Sequence, residues 1–417
     1  GSEMCIRDRG IPEEKLHINV SFTMLMVNVS DGGYSFTKFQ RIEGHGVNMT
    51  AISEVSKLSW RAIENDYTLD QYEEELEKIR TRKRNYTPWQ VAIGAGFACG
   101  GFCIQFGCDW MAFLYASIAA IIGMRVRAKC NESGLNHYMG IAISAFIATM
   151  LAWASTLLPA EWTSTPWHPL LACALFIVPG VPLINFVDDM LDNYIQVGIV
   201  RAVNTLLMVS AMAFGIAFAV KLCSIGDFFP TISMVPHHNY WEYAIAAAIS
   251  AMGFSMIFNI QRRLLWVVAI GGIIAVCTRN FVNLGPSTNN IGLNMGLVIG
   301  SFSGSVLVSL IAIKAVHWFH VPNHVLTIPS VIPMIPGVLM YRMLFGLINM
   351  NVQSIDQVTP LMKAIESGVN SGLVIMCIAL GVAIPNIFGR KYIASSKNKR
   401  LAEILKERKA RGKFVEW

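Results

Sequence analysis

Residues 175–185 read LFIVPGVPLIN, and residues 331–342 read VIPMIPGVLMYR. Both stretches place a Pro-Gly pair inside an apolar segment, and the second pair follows the first by 157 residues. Other residues recur in the same order: Phe102, Gln105 and Trp110 correspond to Phe258, Gln261 and Trp266, and Asn204 corresponds to Asn370. Such self-similarity indicates an internal duplication. We interpret residues 102–205 and 258–371 as two copies of one unit, with an insertion of nine residues in the polar stretch 349–357.

The composition is typical of a membrane protein. Hydrophobic residues make up 54% of the chain and charged residues 14%, whereas a soluble domain carries about a quarter charged residues. The charges concentrate in residues 1–88 and 390–417. We therefore predict a non-native or disordered start (1–15), a cytoplasmic α+β domain (16–88), two transmembrane repeats (89–223 and 238–389) and a basic cytoplasmic tail (390–417). Residues 4–9, MCIRDR, resemble translated sequencing adaptor, so the native beginning is expected to be missing.

Apolar runs of about twenty residues predict ten transmembrane spans. The predicted spans are about 89–107, 109–126, 138–158, 168–187 and 199–221, then 240–259, 264–282, 292–315, 326–348 and 368–388. Lys and Arg concentrate in cytoplasmic loops. This rule assigns Arg125, Arg127 and Lys129 to such a loop and places both termini in the cytoplasm. Because each copy holds five spans, the two copies are predicted to have opposite orientations.

The N-terminal domain is predicted to contain a β-hairpin and two helices. Two alternating runs, 17–29 and 34–42, flank the turn SDGG. One helix is expected to start near Asn48, and another at Thr68, where Gln71 completes a capping-box pattern. Glu43 and His45 in RIEGHG are the residues that acid–base catalysis would use here, although a His between two glycines is usually solvated.

Both Pro-Gly pairs are predicted to break a transmembrane helix. Proline deletes a backbone donor, and unpaired backbone groups in lipid are costly unless they face protein or a wet cavity. In carriers built from inverted repeats, the substrate binds near mid-membrane between broken helices. We therefore predict a binding cavity at Pro179, Gly180, Pro336 and Gly337. The alternative is that these residues only kink helices for packing.

Polar residues cluster around the two predicted breaks. The candidate binding residues are Asn185, Asp188, Asp189, Arg201, Asn204, Tyr341, Arg342 and Asn370. Ionisable groups at bilayer depth usually face a partner, a pathway or a ligand. Arg201 and Arg342 are predicted to bind a carboxylate through their planar forks, Asp188 or Asp189 to handle a proton or an amine, and the asparagines to complete the hydrogen bonding. The alternative keeps these residues as ordinary charges at the cytoplasmic interface.

Other motifs do not indicate a cofactor. The nine cysteines are scattered without a CxxC pair and are expected to be reduced and structural. His317, His320 and His324 are interpreted as interfacial residues, because Pro322 interrupts their spacing. No P-loop is found, so ATP-driven transport is not expected. The basic tail is predicted to lie near anionic lipid, not nucleic acid. No cofactor, no metal and no enzymatic activity are predicted.

The sequence resembles the threonine/serine exporter family of bacterial inner-membrane proteins, in which two halves occur fused or as separate subunits. The resemblance rests on PWQVAIGAGFACGGFCIQFGCDW (88–110), LFIVPGVPLINFVDDMLDNYIQVGIVRAVN (175–204) and VIPMIPGVLMYRMLFGLI (331–348). It implies proton-driven efflux of threonine and serine, or of dicarboxylates such as succinate. It also implies roles for Pro179, Gly180, Asn185, Asp188, Pro336 and Gly337, which match the hallmark positions of the family.

The predicted fold class is a mainly α-helical polytopic membrane protein with two inverted five-helix repeats and a small N-terminal α+β domain. The predicted function is proton-coupled export of threonine and serine from the bacterial cytoplasm by alternating access. A dicarboxylate exporter is the first alternative. An intramembrane enzyme that uses the carboxylates and His45, and a passive channel or receptor, are alternatives of other classes. The predicted partners are a small-molecule substrate, protons and the lipid bilayer, and a homo-oligomer is left open.

Overall fold

The computed structural model describes residues 15–31, 33–42, 46–157, 159, 161–223, 238–286, 290–348 and 358–410. The N-terminal part contains a three-stranded antiparallel sheet of β1 (Leu16–Val20), β2 (Met24–Asp31) and β3 (Tyr34–Arg41). The prediction of a two-stranded hairpin was therefore wrong in strand number. Its first run is divided at Ser21, whose N–H donates to Met24 O over 2.8 Å and whose Oγ accepts from Met24 N over 3.0 Å. Glu43 and His45 lie outside the described residues.

Two amphipathic helices follow the sheet, as predicted. Helix α1 (Met49–Glu64) is capped by Asn48, and α2 (Leu69–Arg80) begins with the predicted capping box of Thr68 and Gln71. Helix α1 buries one face against the rest of the chain, including Met49, Leu58 and Ile63. The sheet and these helices lie at one end of the helical part, which we call the module end.

The rest of the described chain is helical. Its elements are α3 (Pro88–Gln105), α4 (Trp110–Glu132), α5 (His137–Ala154), α6 (Pro169–Ala172), α7 (Gly180–Leu191), α8 (Ile195–Leu222), α9 (Tyr240–Ile257), α10 (Leu265–Asn283), α11 (Leu297–Phe319), α12 (Asn323–Val331), α13 (Gly337–Ile348) and α14 (Val358–Ala410). Short 3₁₀ turns extend α6 through Ile177 and α12 through Met334. Each predicted span coincides with one of these helices or with a broken pair.

Six of the described helices are long and apolar enough to cross a membrane, and the two bent pairs would raise that number to eight. Helices α3 and α9 are not among them, although the sequence analysis predicted ten spans. Both are rich in small residues and pack closely together. A Cβ at Gly253 would lie 2.3 Å from Gly94 O, so only glycine allows this approach of the two backbones.

The two halves use the same set of helix contacts. In each half the second helix packs on the first and the third, and the fifth helix packs on the third and on the broken element. The contacts in the first half are α3–α4, α4–α5, α5–α8 and α7–α8. The corresponding contacts in the second half are α9–α10, α10–α11, α11–α14 and α13–α14. Gly215 of α8 meets Ala142 and Ala145, and Gly381 of α14 meets Phe302 and Ser305 at the corresponding crossing. The halves meet through α3–α9, α7–α14 and α8–α13.

The Pro-Gly pairs do break their helices. The axis turns by 56° between Pro169–Ile177 and Gly180–Leu191, and by 61° between Asn323–Met334 and Gly337–Leu344. The two breaks also contact each other. A Cβ at Gly180 would lie 2.8 Å from Ile335 Cδ1, and a Cβ at Gly337 would lie 2.7 Å from Leu175 Cδ2. Each half therefore places the glycine of its break against the 3₁₀ turn of the other half.

Two helices are longer than predicted. Helix α4 continues to Glu132 instead of ending near residue 126, and α14 runs from Val358 to Ala410 without a boundary at residue 390. The tail therefore extends the last helix toward the module end, where Arg400 forms an ion pair with Glu64. The predicted insertion, residues 349–357, lies outside the described part of the chain.

Candidate substrate cavity

A cavity of about 1700 Å³ lies between the first broken helix, the start of α8, the end of α4 and the N-terminal module. Polar and charged side chains of its lining are Arg84, Asn85, Tyr86, Thr87, Arg127, Asn131, Glu132, His137, Tyr138, Asn185, Asp188, Asp189, Arg201, Asn204, Arg262 and His324. Pro179 and Gly180 also line it, so the cavity reaches the first break. Four arginines and three carboxylates give this lining a formal excess of one positive charge when both histidines are neutral.

Arg127 is one of three arginines of this cavity that form no ion pair with a described residue; the others are Arg84 and Arg262, and Arg262 donates to Asn85 O. Arg127 itself forms no ion pair or hydrogen bond with any residue that the structure describes. It lies on the inward face of α4, in line with Ala116, Ala120 and Gly123, which are all buried. Since i, i+3 and i, i+4 positions share one face of a helix, Arg127 continues this face beyond the predicted end of the span. The predicted loop at Arg125, Arg127 and Lys129 is therefore part of helix α4.

The two basic neighbours of Arg127 on α4, Arg125 and Lys129, do not face the cavity in the same way. The guanidinium of Arg125 lies 4.9 Å from the centre of the Trp89 ring, and Lys129 is exposed and does not line the cavity. The sequence signal for Arg127 is the three- and four-residue spacing of Ala112, Ala116, Ala120 and Gly123. This spacing predicts that the helix continues beyond residue 126, where hydropathy alone ends the span.

Arg201 already has a carboxylate partner. Its Nε donates to Asp189 Oδ2 over 2.8 Å, and about a quarter of each side chain is exposed. The turn between α7 and α8 brings these two residues together. Phe22, in the turn between β1 and β2, lies with its ring centre 5.8 Å from the Arg201 guanidinium carbon. The sheet therefore contacts the same wall of the cavity as this ion pair.

Two other contacts organise the wall near the first break. His324 Nε2 lies 3.8 Å from Asp188 Oδ2, and this pair joins α12 of the second half to α7 of the first. Tyr138 Oη donates to Asn204 Oδ1 over 2.7 Å. Asn185 lies one turn before Asp188 and Asp189 and lines the cavity with them. The sequence analysis did not identify Arg127, Tyr138 or His324 as parts of a binding site.

Seven of the predicted binding residues line this cavity: Pro179, Gly180, Asn185, Asp188, Asp189, Arg201 and Asn204. Pro336, Gly337, Arg342 and Asn370 belong to the second half and are not part of its lining. The side chain of Tyr341 lies outside the description. Arg201 and Arg342 therefore do not line one common cavity in this conformation.

The N-terminal module is attached at the mouth of the cavity through Asn259. This residue has a left-handed backbone, with φ at 56°, and is 3% exposed. Its Nδ2 donates to Asn48 Oδ1 and its Oδ1 accepts from Asn85 N, each over 2.8 Å. Its carbonyl accepts from Thr50 Oγ1 over 2.5 Å. The turn between α9 and α10 thereby binds the start of α1 and the segment before α3.

Tyr86 and Arg262 lie beside this attachment. The Arg262 guanidinium carbon lies 5.6 Å from the centre of the Tyr86 ring, and its Nη2 donates to Asn85 O over 2.9 Å. Burial raises the pKa of the Tyr86 phenol above its ordinary value, and Arg262 opposes this shift. Among the described residues, no three His, Cys, Asp or Glu side chains form a group that could hold a metal ion.

Comparison with known proteins gives the family. A family model described as "Putative threonine/serine exporter" matches residues 4–223, and one described as "Threonine/Serine exporter, ThrE" matches residues 243–388. A relative from Klebsiella aerogenes, named "Probable succinate transporter subunit YjjP", is 24% identical over 214 residues, which are 51% of this chain and 82% of the relative. The relative of the same name from Escherichia coli K12 is 25% identical over the same shares. No solved structure matches this chain. Because the first family match alone covers more than half of the sequence, the chain belongs to the threonine/serine exporter family, with both halves fused.

Proposed function

We propose that this protein is a secondary carrier that exports threonine and serine across the bacterial inner membrane and binds their carboxylate at Arg127. The observation that carries this proposal is an arginine without a counter-ion in a large cavity beside the first helix break. An ionisable side chain at membrane depth usually faces a partner, a pathway or a ligand, and Arg127 is half-buried in the cavity wall, so this position favours an anionic ligand. The planar guanidinium can donate two parallel hydrogen bonds to a carboxylate.

The carboxylates of the cavity favour an amino acid over a dicarboxylate. Asp188, Asp189 and Glu132 line the same space as Arg127. A substrate ammonium group would be attracted to these side chains, whereas a second substrate carboxylate would be repelled by them. Asp189 also occupies Arg201, so this arginine has less charge to offer to a ligand. Succinate is the second candidate, because two relatives are named as probable succinate transporter subunits.

We further propose that ten membrane-embedded helices form two inverted five-helix repeats, with both termini and the N-terminal module in the cytoplasm. Three observations support this arrangement: the halves use matching helix contacts, each contains one helix broken at Pro-Gly, and the breaks contact each other. The cavity would then be the cytoplasmic entrance. Alternating access would close this entrance and open a path on the opposite side by movement of one repeat against the other.

Asp188 and Asp189 are our candidates for proton coupling. Adjacent carboxylates repel each other, and each has a different neighbour: Asp188 lies near the imidazole of His324 in the second half, and Asp189 is paired with the guanidinium of Arg201. Protonation of Asp188 would weaken its attraction to His324, and so would weaken one connection between the halves. Asn185, Asn204, Tyr138 and, on the second half, Tyr341, Arg342 and Asn370 are proposed to complete the polar path. Arg342 follows Gly337 by five residues, as Asn185 follows Gly180.

The test is transport in proteoliposomes that contain the purified protein. We expect saturable counterflow of labelled threonine and serine, which a passive channel would not show, and weaker counterflow of succinate. Net flux should fall when an ionophore collapses the pH gradient. Unchanged net flux would remove the proton-coupling claim, and counterflow of succinate alone would reverse the choice of substrate.

The role of Arg127 is tested by comparing Arg127→Gln with Lys129→Gln. Both variants lose one positive charge from the last turns of α4, but only Arg127 lines the cavity. A hydrogen bond to a charged group contributes about 1.5–3 kcal/mol, so we expect the KM for threonine to rise about 10- to 100-fold in Arg127→Gln. Lys129→Gln should keep the original KM. Equal KM values in the two variants would contradict the proposal.

A further inference from the structure

Another arginine that forms no ion pair with a described residue, Arg279, lies far from the cavity. Arg279 lies in the last turns of α10, and its Nε and Nη2 donate to Asn280 Oδ1 over 3.1 and 3.0 Å. Its Nη2 also approaches Gln105 Oε1 at 3.4 Å. Among the residues that the structure describes, Arg279 forms no ion pair, and its Nη1 makes no hydrogen bond. Within the described part of the chain, both of its acceptors are therefore neutral amides.

Gln105 adds a second donor without an acceptor. This side chain is 6% exposed, and its Nε2 has no hydrogen-bond partner among the residues that the structure describes. Its orientation is set by Arg279, because a guanidinium has only donors and must face the amide oxygen. A buried polar group without a partner destabilises the folded protein. A ligand that accepts hydrogen bonds and carries negative charge would satisfy the amide of Gln105 and pair with the guanidinium of Arg279.

This place lies at the end of the helices that is remote from the module. Helix α3 begins at the cavity, since Thr87, Pro88 and Val91 line it, and ends with Gln105 after 18 residues. With a rise of 1.5 Å per residue, its two ends are about 27 Å apart. Helix α10 likewise starts close to Arg262 of the cavity lining and reaches Arg279 near its other end.

Arg127 and Arg279 hold related positions in the two halves. Each lies on the second helix of its half, Arg127 five residues before the end of α4 and Arg279 four residues before the end of α10. If the halves are inverted relative to each other, these helix ends point to opposite sides of the membrane. The two arginines would then serve the two ends of one path.

We infer that Arg279, Asn280 and Gln105 form a second carboxylate-binding site, which receives the substrate when the carrier opens to the side opposite the N-terminal module. This inference rests on the proposed function, because it names the outer counterpart of the Arg127 site. The ligand class is a small organic anion with a free carboxylate. One arginine in each half would allow the carboxylate to meet a cation in either open state.

The test is sided transport of labelled threonine by proteoliposomes with known protein orientation. The substrate is added from one face at a time, and the half-saturation concentration is measured for each face. We expect Arg279→Gln to raise the value at the outer face tenfold or more and to leave the cytoplasmic value within about twofold; tenfold corresponds to about 1.4 kcal/mol. Arg127→Gln should show the opposite asymmetry. Lys221→Gln, which removes an exposed charge from the same proposed outer end, is the matched control.

Two further variants separate binding from folding. Arg279→Lys keeps the charge and should recover part of the outer affinity. Gln105→Met removes only the amide and should raise the outer half-saturation concentration a few-fold, so it tests the site even if Arg279→Gln does not fold. The inference would be overturned if Arg279→Gln changed the half-saturation concentration equally at both faces. It would also be overturned if neither Arg279→Gln nor Gln105→Met changed the value at the outer face. Either result would leave the proposed function intact. A wild-type protein without saturable flux from either face would defeat the proposed function itself, and the inference with it.

Discussion

The contact between the two helix breaks yields the sharpest structural prediction, which is the effect of Gly337→Ala. The new methyl group would lie 2.7 Å from Leu175 Cδ2 and 3.0 Å from Val178 Cγ2, whereas non-bonded carbons rest about 3.5–4.0 Å apart. Leu175 is 1% and Val178 9% exposed, so neither side chain can move into solvent. Val178 is also β-branched and therefore stiff.

Overpacking of this kind costs about 1–3 kcal/mol. If the breaks separate or slide during transport, this cost destabilises only the conformation in which they touch. The equilibrium between this conformation and the others would then shift away from it by about 5- to 150-fold. We therefore expect Gly337→Ala to lower the thermal stability of the purified protein and to reduce counterflow of threonine at saturating concentration about tenfold. Gly180→Ala should have a comparable effect, because its methyl group would lie 2.8 Å from Ile335 Cδ1 and 3.1 Å from Ile332 Cγ1, and both isoleucines are buried.

Gly372→Ala in α14 is the control, since a Cβ there would meet no atom within 4 Å. Alanine favours helix over glycine by about 1 kcal/mol, so this variant should transport normally and be equally or more stable. The reasoning would be refuted if Gly337→Ala transported and unfolded like the wild type, or if Gly372→Ala lost activity to the same degree.

Three other predictions concern stability. Asn259→Ala should weaken the attachment of the N-terminal module more than Asn259→Gly does, and the module should then be cleaved faster by a protease. Both variants lose the side-chain hydrogen bonds, but the left-handed backbone costs alanine about 1–2 kcal/mol that it does not cost glycine. Equal proteolysis rates of the two variants would contradict the backbone argument. Burial alone would raise the pKa of Asp109, but hydrogen bonds from Ala112, Thr163 and Ser164 lower the pKa below its ordinary value. The depressed pKa means that Asp109 stabilises the protein above the unfolded pKa of about 3.9 and loses this effect as the pH falls through the folded value. Asp109→Ala should therefore cost about 2 kcal/mol at pH 7, and the difference in melting temperature from the wild type should narrow below about pH 4; a constant difference would be inconsistent with this. For the partly exposed pair of Arg201 and Asp189, a double-mutant cycle with Arg201→Gln and Asp189→Asn should give a coupling of about 0.5–1 kcal/mol in the free energy of unfolding. Arg201→Gln should raise the KM for threonine far less than Arg127→Gln does. A KM increase as large as that of Arg127→Gln would restore Arg201 as the carboxylate ligand.

The sequence was sufficient to find the helix breaks because Pro and Gly act locally. Pro179 and Pro336 remove backbone donors wherever they occur, and the repeated Pro-Gly pair indicated that the breaks belong to corresponding elements. The caps of α1 and α2 were predictable for the same reason, since Asn48 and Thr68 bind backbone groups within one turn.

The pairing of charged side chains was not predictable, because it depends on how the helices pack. Arg201 is close to Asp189 only because the turn after α7 reverses the chain, and His324 reaches Asp188 only because the two halves meet. Arg127 was missed for a different reason: a hydropathy window treats arginine as the end of a span, although its spacing from Gly123 keeps it on the buried face of α4. Side-chain periodicity would have corrected this assignment.

Direct binding to purified protein tests the central claim, that the carboxylate of the substrate binds at Arg127. Titration calorimetry would compare threonine with threoninol. Threoninol keeps the amine and the hydroxyethyl side chain of threonine but has a hydroxymethyl group in place of the carboxylate. We predict that the wild type binds threonine at least tenfold more tightly than threoninol, and that Arg127→Gln reduces this preference to about twofold or less, while Lys129→Gln preserves it. Equal affinity of the wild type for the two compounds, or an unchanged preference in Arg127→Gln, would contradict the account.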